Sequence, residues 1–369
     1  MTRYLLSISR RVRRTPFTDK VNFHGVKSYT VYNRMLLPTV FSNLEDDYHH
    51  LKSHVQVWDV SCERQIDISG PEADYLMQIL TPRFLGAMAV GQCLYIPVVD
   101  EQGHMLNDPV ALKLADDHFR ISIADSDLLL WVKGLACGLK LNVRITEPEV
   151  YPLAVQGPKS DDLVARIFGE AVRDIGFFRF AKLPFKDHSF IISRSGYSKQ
   201  GGFEIYVDSP SLAEPLWDAL FMHGQDLNVR PGSPNLIERI EAGLLSFGND
   251  MDQQNTPFEC GLGKFCKPHL STSCVGDAAL KKTSVKNPTR QIRSLSIAGL
   301  PLAPCLEAWP VYVKNKPAGV VTSAVWSPGF NTNVALAMIE QSYWEPGSQL
   351  EIQTPSGIRS AIVQAKSFI

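Results

Sequence analysis

The stretch that decides the fold is residues 65–80, QIDISGPEADYLMQIL. Its first five residues alternate polar and apolar, the period of a half-buried strand. Gly70-Pro71-Glu72 then stops the strand and opens a helix through Leu80, with proline at a first-turn position and acidic residues near the positive end of the helix dipole. The cassette recurs at residues 153–168, where LAVQ, Gly157-Pro158 and the apolar-periodic SDDLVARIF again read as strand, tight turn and helix. Two such cassettes hint at two related αβ units, which is weak evidence for a true repeat.

Working outward, strands are expected at 190–194 and 203–207 and a helix at 213–223. A further helix is expected over 235–246, carrying Leu236, Ile240, Leu244 and Leu245 on one face. Residues 281–293 are basic, polar and interrupted by Pro288, which suits a linker. Beyond them, short β-type runs at 293–297, 311–313, 319–324, 349–352 and 358–363, separated by Gly and Pro turns, predict a small antiparallel barrel. The fold class is therefore α+β, with a body over 1–285 and an all-β domain over 286–369.

With 369 residues, the chain is long enough for two or three domains. Thirty-seven basic residues balance 38 acidic ones, so no global basic field points to nucleic acid and no acidic tail to a disordered role. Seven cysteines, scattered from Cys62 to Cys305 with no C-x-x-C pair, suit reduced thiols better than a disulfide framework or a zinc site. At the N-terminus, Tyr4-Leu5-Leu6 is too short for the apolar core of a signal peptide. No run approaches the roughly 18–20 apolar residues of a membrane span. A soluble, cytoplasmic protein without a metal, nucleic-acid or membrane partner is expected.

Four segments have chemical potential. In 95–108, YIPVVDEQGHMLND, a turn at 100–103 sends the chain back, so that Tyr95 and Asp108 reach the same end of a hairpin. Asp108 is then either a solvated turn acid or an acceptor for an amine of a bound heterocycle. In 194–207, RSGYSKQGGFEIYV, the paired glycines Gly201-Gly202 permit positive φ or close approach to a ligand. Glu204 lies on the opposite face of its strand from Phe203 and Ile205, and burying it requires a partner. It either faces solvent or accepts two N–H groups of a ligand such as a pterin. In 237–250, IERIEAGLLSFGND, Arg239 and Glu241 are most simply ion-pairing helix residues. In 319–333, Trp326 falls in a Ser/Pro-rich turn and is either a ligand wall or interdomain packing. His49-His50, in a polar helical stretch, are expected to be solvated. Phosphate-cradling, zinc-protease and nucleophile-elbow motifs are absent from the sequence.

Taken in order, these segments resemble the folate-binding aminomethyltransferase superfamily typified by the glycine cleavage T-protein. The matches are Trp58-Asp59-Val60-Ser61 followed by Gly70-Pro71, Tyr95 with the turn from Gly103 to Asp108, Gln156-Gly157-Pro158 and Gly196 to Glu204. They continue with Arg239 to Gly243, Glu259-Cys260-Gly261-Leu262, and Val321-Thr322-Ser323 with Ser327-Pro328. Each is weak alone, and their collinearity is what makes them strong. Within the superfamily, SRRVRRTPF, YNRMLLP, HVQVWDV, LNDPV, SKQGGFEIYV, LIERIE and PFECGLGKF look like the dimethylsulfoniopropionate demethylases.

The resemblance implies a three-domain cloverleaf whose body holds two interwoven α+β domains, with tetrahydrofolate as methyl acceptor and no metal. It implies methyl transfer from dimethylsulfoniopropionate to N5 of tetrahydrofolate, giving methylmercaptopropionate and 5-methyltetrahydrofolate, by a monomer or homodimer. Asp108 matches the aspartate beside the reacting folate nitrogen. Tyr95, Asn107, Glu204, Arg239 and Trp326 are then folate-side residues, and Tyr197, Tyr206 and Ser122 donor-side residues. Asn107 stands where the aminomethyltransferases carry an acid, as the demethylases do. Tyr197 stands where the demethylase pattern has Trp and the aminomethyltransferase pattern Tyr. Another sulfonium or methylamine donor, or aminomethyl transfer, is the alternative.

Overall fold

Phe203, Ile205 and Val207 point to one side of the strand Gly202–Val207, leaving Glu204 and Tyr206 to the other. In the computed structural model, which describes residues 9–266 and 274–369, this strand belongs to the first of two units. The run Tyr4-Leu5-Leu6 lies outside the described residues.

The first unit comprises the described residues up to Gln65 together with Glu147–Gly196 and Gln200–Pro234. Its six-stranded sheet runs Phe180–Phe185, His188–Ser193, Gly202–Val207, Tyr151–Gln156, Val55–Asp59, Val229–Gly232. All neighbours are antiparallel except the last pair, which is parallel. The apolar face packs Val55, Val57, Leu153, Val155 and Ile192 against Leu163, Val164 and Phe168 of the helix Ser160–Phe168 and Leu216, Trp217 and Leu220 of the helix Ala213–His223. The other face of the same strands presents Gln56, Trp58, Ala154, Gln156, Glu204 and Tyr206, all buried.

The second unit contains Ile66–Thr146, Tyr197–Lys199 and Asn235–Ile369. Its five-stranded sheet has the order Arg144–Thr146, Gln65–Ser69, His118–Ser122, Val110–Ala115, Cys93–Tyr95. The helices Ala73–Leu80 and Leu128–Gly138 bury Leu76, Met77, Leu80, Leu128 and Val132 against Ile66, Ile68, Phe119 and Ile121. The same unit holds a closed barrel of Arg290–Ile297, Thr332–Glu340, Lys316–Ser327, Trp309–Val313, Gln349–Thr354 and Gly357–Val363. Both cassettes form as expected, one in each unit. At their turns Gly70 and Gly157 have φ of +127° and +120°, and a Cβ on Gly157 would lie 2.3 Å from the His54 carbonyl oxygen.

Several expectations are corrected. The helix expected over 235–246 spans only Leu236–Glu241. Gly243, at φ +67°, turns the chain out of the helix, and the Leu244 N–H closes back onto the Arg239 carbonyl. The linker carries two one-turn helices, Asp277–Leu280 and Thr283–Lys286, before the barrel begins at Arg290. The barrel strand Thr332–Glu340 was not foreseen, because TNVALAMIE is buried on both faces: Ala335, Ala337 and Ile339 fill the barrel while the helix Leu236–Glu241 packs on the outside. Trp326 is half-buried within the strand Lys316–Ser327, opposite Asn333, rather than on a turn. Only His49 is solvated; His50 is buried, its Nε2–H donating to the Asn228 carbonyl at 2.8 Å, and burial pulls its pKa down to about 4.

Replacing Gly157 by Ala is expected to cost about 2–4 kcal/mol and lower the melting temperature by roughly 5 °C or more. Gly134→Ala, inside a helix with open space at its Cβ position, is the control and is expected to be neutral or mildly stabilising. Equal melting of the two variants contradicts the steric account of the turn.

Candidate functional site

Asp108 lies between two short pairings that fix the chain on either side of it. Tyr95 is opposite Val110, and Val98 is opposite Asn107 in a small antiparallel pair closed by the turn at 100–103. The hairpin reading thus holds: the Tyr95 hydroxyl donates to Asp108 Oδ2 at 2.8 Å. Asp108 is half-buried as a residue, yet its Oδ1 is sealed from solvent and has no hydrogen-bond partner among the described residues. Burial raises its pKa to about 7, against partial relief from the Tyr95 hydroxyl and its own backbone N–H. Tyr95 is driven well above its ordinary value, first by burial and then by the Asp108 charge, so it remains a donor at every working pH.

Asn107 is wholly buried and its amide is used within the protein. Its Nδ2 donates to the Ala124 carbonyl at 3.0 Å and to Ser126 Oγ at 2.8 Å, and its Oδ1 accepts the Ala124 N–H at 3.0 Å. This amide clamps the returning hairpin arm to the segment after Ser122, so Asn107 positions Asp108 instead of offering donors to a ligand. An acid at 107 could not make the two donor bonds. Ser122, the last residue of the strand His118–Ser122, is buried opposite Val110.

Arg239 is likewise engaged within the protein. Its NH1 donates to Asp250 Oδ2 at 2.8 Å and to the Leu244 carbonyl at 3.3 Å, and its NH2 to Ser323 Oγ at 2.8 Å. Asp250 also accepts from Thr322 and Ser323 hydroxyls, completing a buried ion pair between helix, loop and barrel. The Tyr197 hydroxyl donates to the Leu245 carbonyl at 2.6 Å, and burial raises its pKa, so its ring is fixed from the same loop. Glu238, which the sequence reading did not single out, holds the neighbouring turn through the Lys199 N–H at 2.7 Å.

In the other unit, Glu204 is buried on the polar face of its sheet. Its Oε2 accepts from the Ser195 hydroxyl and, at 3.5 Å, from Tyr206. Burial raises its pKa, offset by the hydroxyls of Ser195, Tyr206 and Ser193. Gly202 has φ +151°, but the space its missing Cβ leaves is taken by the Val155 carbonyl and the Gln156 side chain. Gly202 therefore serves strand packing, whereas Gly201, at φ +77° with open space at its Cβ position, serves the turn into the strand. The serines were not foreseen; their one-residue alternation on 193 and 195 was the available signal.

Comparison with known families now bears on this geometry. The family described as the GCVT N-terminal domain matches residues 17–269, and the glycine cleavage T-protein C-terminal barrel domain matches 290–369. The chain belongs to the glycine cleavage T-protein family. Among relatives in this family, the dimethylsulfoniopropionate demethylase DmdA of Ruegeria pomeroyi is 56% identical over 356 residues, covering 96% of this chain and 97% of that protein. An aminomethyltransferase of Oceanobacillus iheyensis is 27% identical, covering 96% of each chain. The crystal structure of the aminomethyltransferase T of Bartonella henselae superposes with a TM-score of 0.88 at 21% identity, over 97% of this chain and 98% of that one. The T-protein fold is thereby shown, and the chain is a methyl-transferring enzyme of that family rather than a binding module.

Asp108 supplies a stability test. Its folded pKa lies above its unfolded value near 4, so the folded state binds the extra proton and loses stability as pH rises from about 4 to about 7. Asp108→Asn removes that loss. Relative to the parent chain, the variant is expected to gain little at pH 3, about 1.5 kcal/mol at pH 5 and about 4 kcal/mol at pH 8, measured by urea denaturation. A difference independent of pH contradicts the buried, unpartnered carboxylate.

Proposed function

We propose that this enzyme is a tetrahydrofolate-dependent demethylase that takes a methyl group from dimethylsulfoniopropionate and places it on N5 of tetrahydrofolate, leaving methylmercaptopropionate. One observation carries the reading at the site: Asp108 Oδ1 is buried without a partner while its carboxyl has a pKa of about 7. A carboxylate so placed suits an incoming amine that donates a hydrogen bond and later gives up a proton. The strong similarity to a dimethylsulfoniopropionate demethylase favours the sulfonium donor over aminomethyl transfer, as does Asn107 in place of an acid.

The donor's sulfur leaves as a neutral thioether, and bound tetrahydrofolate supplies the N5 lone pair. Alignment and proximity then account for most of the acceleration, about 7–11 kcal/mol where the geometry is productive. Asp108 orients the amine and takes the proton that the methylated nitrogen sheds; Tyr95 holds the carboxylate from behind through Oδ2. Glu204, a buried carboxylate with only hydroxyl donors on Oε2, fits a reader of the pterin's N–H edge. Tyr197, Tyr206 and Trp326 offer aromatic faces for the sulfonium, each worth about 0.5–2 kcal/mol.

Asp108→Asn is expected to lower kcat for 5-methyltetrahydrofolate formation about 10²–10⁴-fold with folate binding retained, and Glu204→Gln to weaken folate binding. Steady-state assays over a panel of sulfonium and methylamine donors read both. Unchanged turnover in both variants removes the site assignment; turnover of dimethylglycine or sarcosine but not of the sulfonium removes the donor assignment.

A further inference from the structure

Arg83 is a cation that the described residues do not neutralise. Its backbone sits in a built turn: Gln78 Nε2 donates to the carbonyls of Thr81 and Arg83, Gln78 Oε1 accepts the Leu85 N–H, and the Arg83 N–H donates to Thr81 Oγ1. The guanidinium is half-buried, and it donates to a neutral group, the Tyr95 carbonyl, at 2.5 Å from NH1. It lies over the Phe265 ring at 4.7 Å, and the Lys264 ammonium lies over the same ring at 5.0 Å. Neither cation has a carboxylate within ion-pair distance among the described residues. Phe265 itself packs edge-on to Tyr95, whose hydroxyl holds Asp108.

Two like charges on one ring repel each other, and removing a guanidinium partly from water without a counter-ion is unfavourable. Burial accordingly lowers the Arg83 pKa, with no opposing charge to restore it. Both penalties are relieved by an anion that the planar guanidinium fork can grip. The neighbouring exposed Lys264 adds attraction without fixing geometry.

We propose that Arg83, assisted by Lys264, binds the carboxylate of a small-molecule ligand whose reacting end lies at Asp108. The inference rests on the functional reading above. That reading provides two sources of the same chemistry, the carboxylate of the sulfonium donor and the glutamate carboxylate of the folate. Tyr95 joins the two positions physically, its backbone carbonyl on Arg83 and its side-chain hydroxyl on Asp108.

The test compares each ligand with its carboxylate-free counterpart in the full-length parent chain, Arg83→Met and Arg83→Lys. Binding of tetrahydrofolate and tetrahydropteroate is measured by calorimetry; KM is measured for dimethylsulfoniopropionate and its methyl ester. Arg83→Met is expected to weaken one carboxylated ligand about tenfold or more and its carboxylate-free counterpart less than about twofold, with Arg83→Lys in between. Selective loss on tetrahydrofolate assigns the glutamate, and selective loss on the sulfonium assigns the donor. Equal loss on both members of each pair, or none, overturns the proposal and leaves Arg83 as an anchor for Tyr95. A parent chain that binds neither tetrahydrofolate nor the donor instead sinks the functional reading, and this inference with it. Should Arg83→Met fail to fold, Arg83→Lys keeps the charge and must still show the same selectivity.

Discussion

The hydrogen bond from Tyr95 to Asp108 leaves a carboxylate with one oxygen satisfied and the other sealed in without a partner. Much of the surrounding architecture serves to hold that imbalance. The paired arms around the 100–103 turn set Tyr95 and Asp108 at one end. Asn107, held by three hydrogen bonds, keeps the arm from sliding. A solvated aspartate here would titrate near 4 and be a poor proton acceptor in neutral solution; the buried one, near 7, is matched to the task.

The other buried charges show what full satisfaction looks like. Asp250 accepts from an arginine, two hydroxyls and a backbone N–H, which makes Arg239–Asp250 a brace whose removal would leave an uncompensated charge. Polar groups that are fully answered stabilise; groups with unfilled capacity, such as Asp108 Oδ1 and the Arg83 guanidinium, are where a ligand has something to gain.

Local pattern carried much of the fold. The alternation in QIDIS and the glycine-proline turns depend on neighbours in sequence, and both cassettes formed as read. Helix Ala213–His223 was legible to the residue. What failed was information held in tertiary context: TNVALAMIE loses its alternation because a helix covers the barrel's outside, and the apolar Leu244-Leu245 extends a helical period past a glycine that ends the helix. At the site, types and spacing found Tyr95, Asp108 and Glu204. They could not reveal that Asn107 and Arg239 bond to protein partners, since Ala124, Ser126, Asp250 and Ser323 are distant in sequence. Arg83 was invisible for the converse reason: only a folded chain shows that a charge lacks a partner.

A ligand N–H that fills the unpartnered lone pairs of Asp108 favours its ionised form. Binding of tetrahydrofolate at pH 7, measured by calorimetry in two buffers of different ionisation enthalpy, tests it most directly. A carboxyl that is about half protonated before binding and ionised after it should release roughly half a proton per site, and Asp108→Asn should abolish that release. No proton release by the parent chain, or the same release by the variant, would contradict the account.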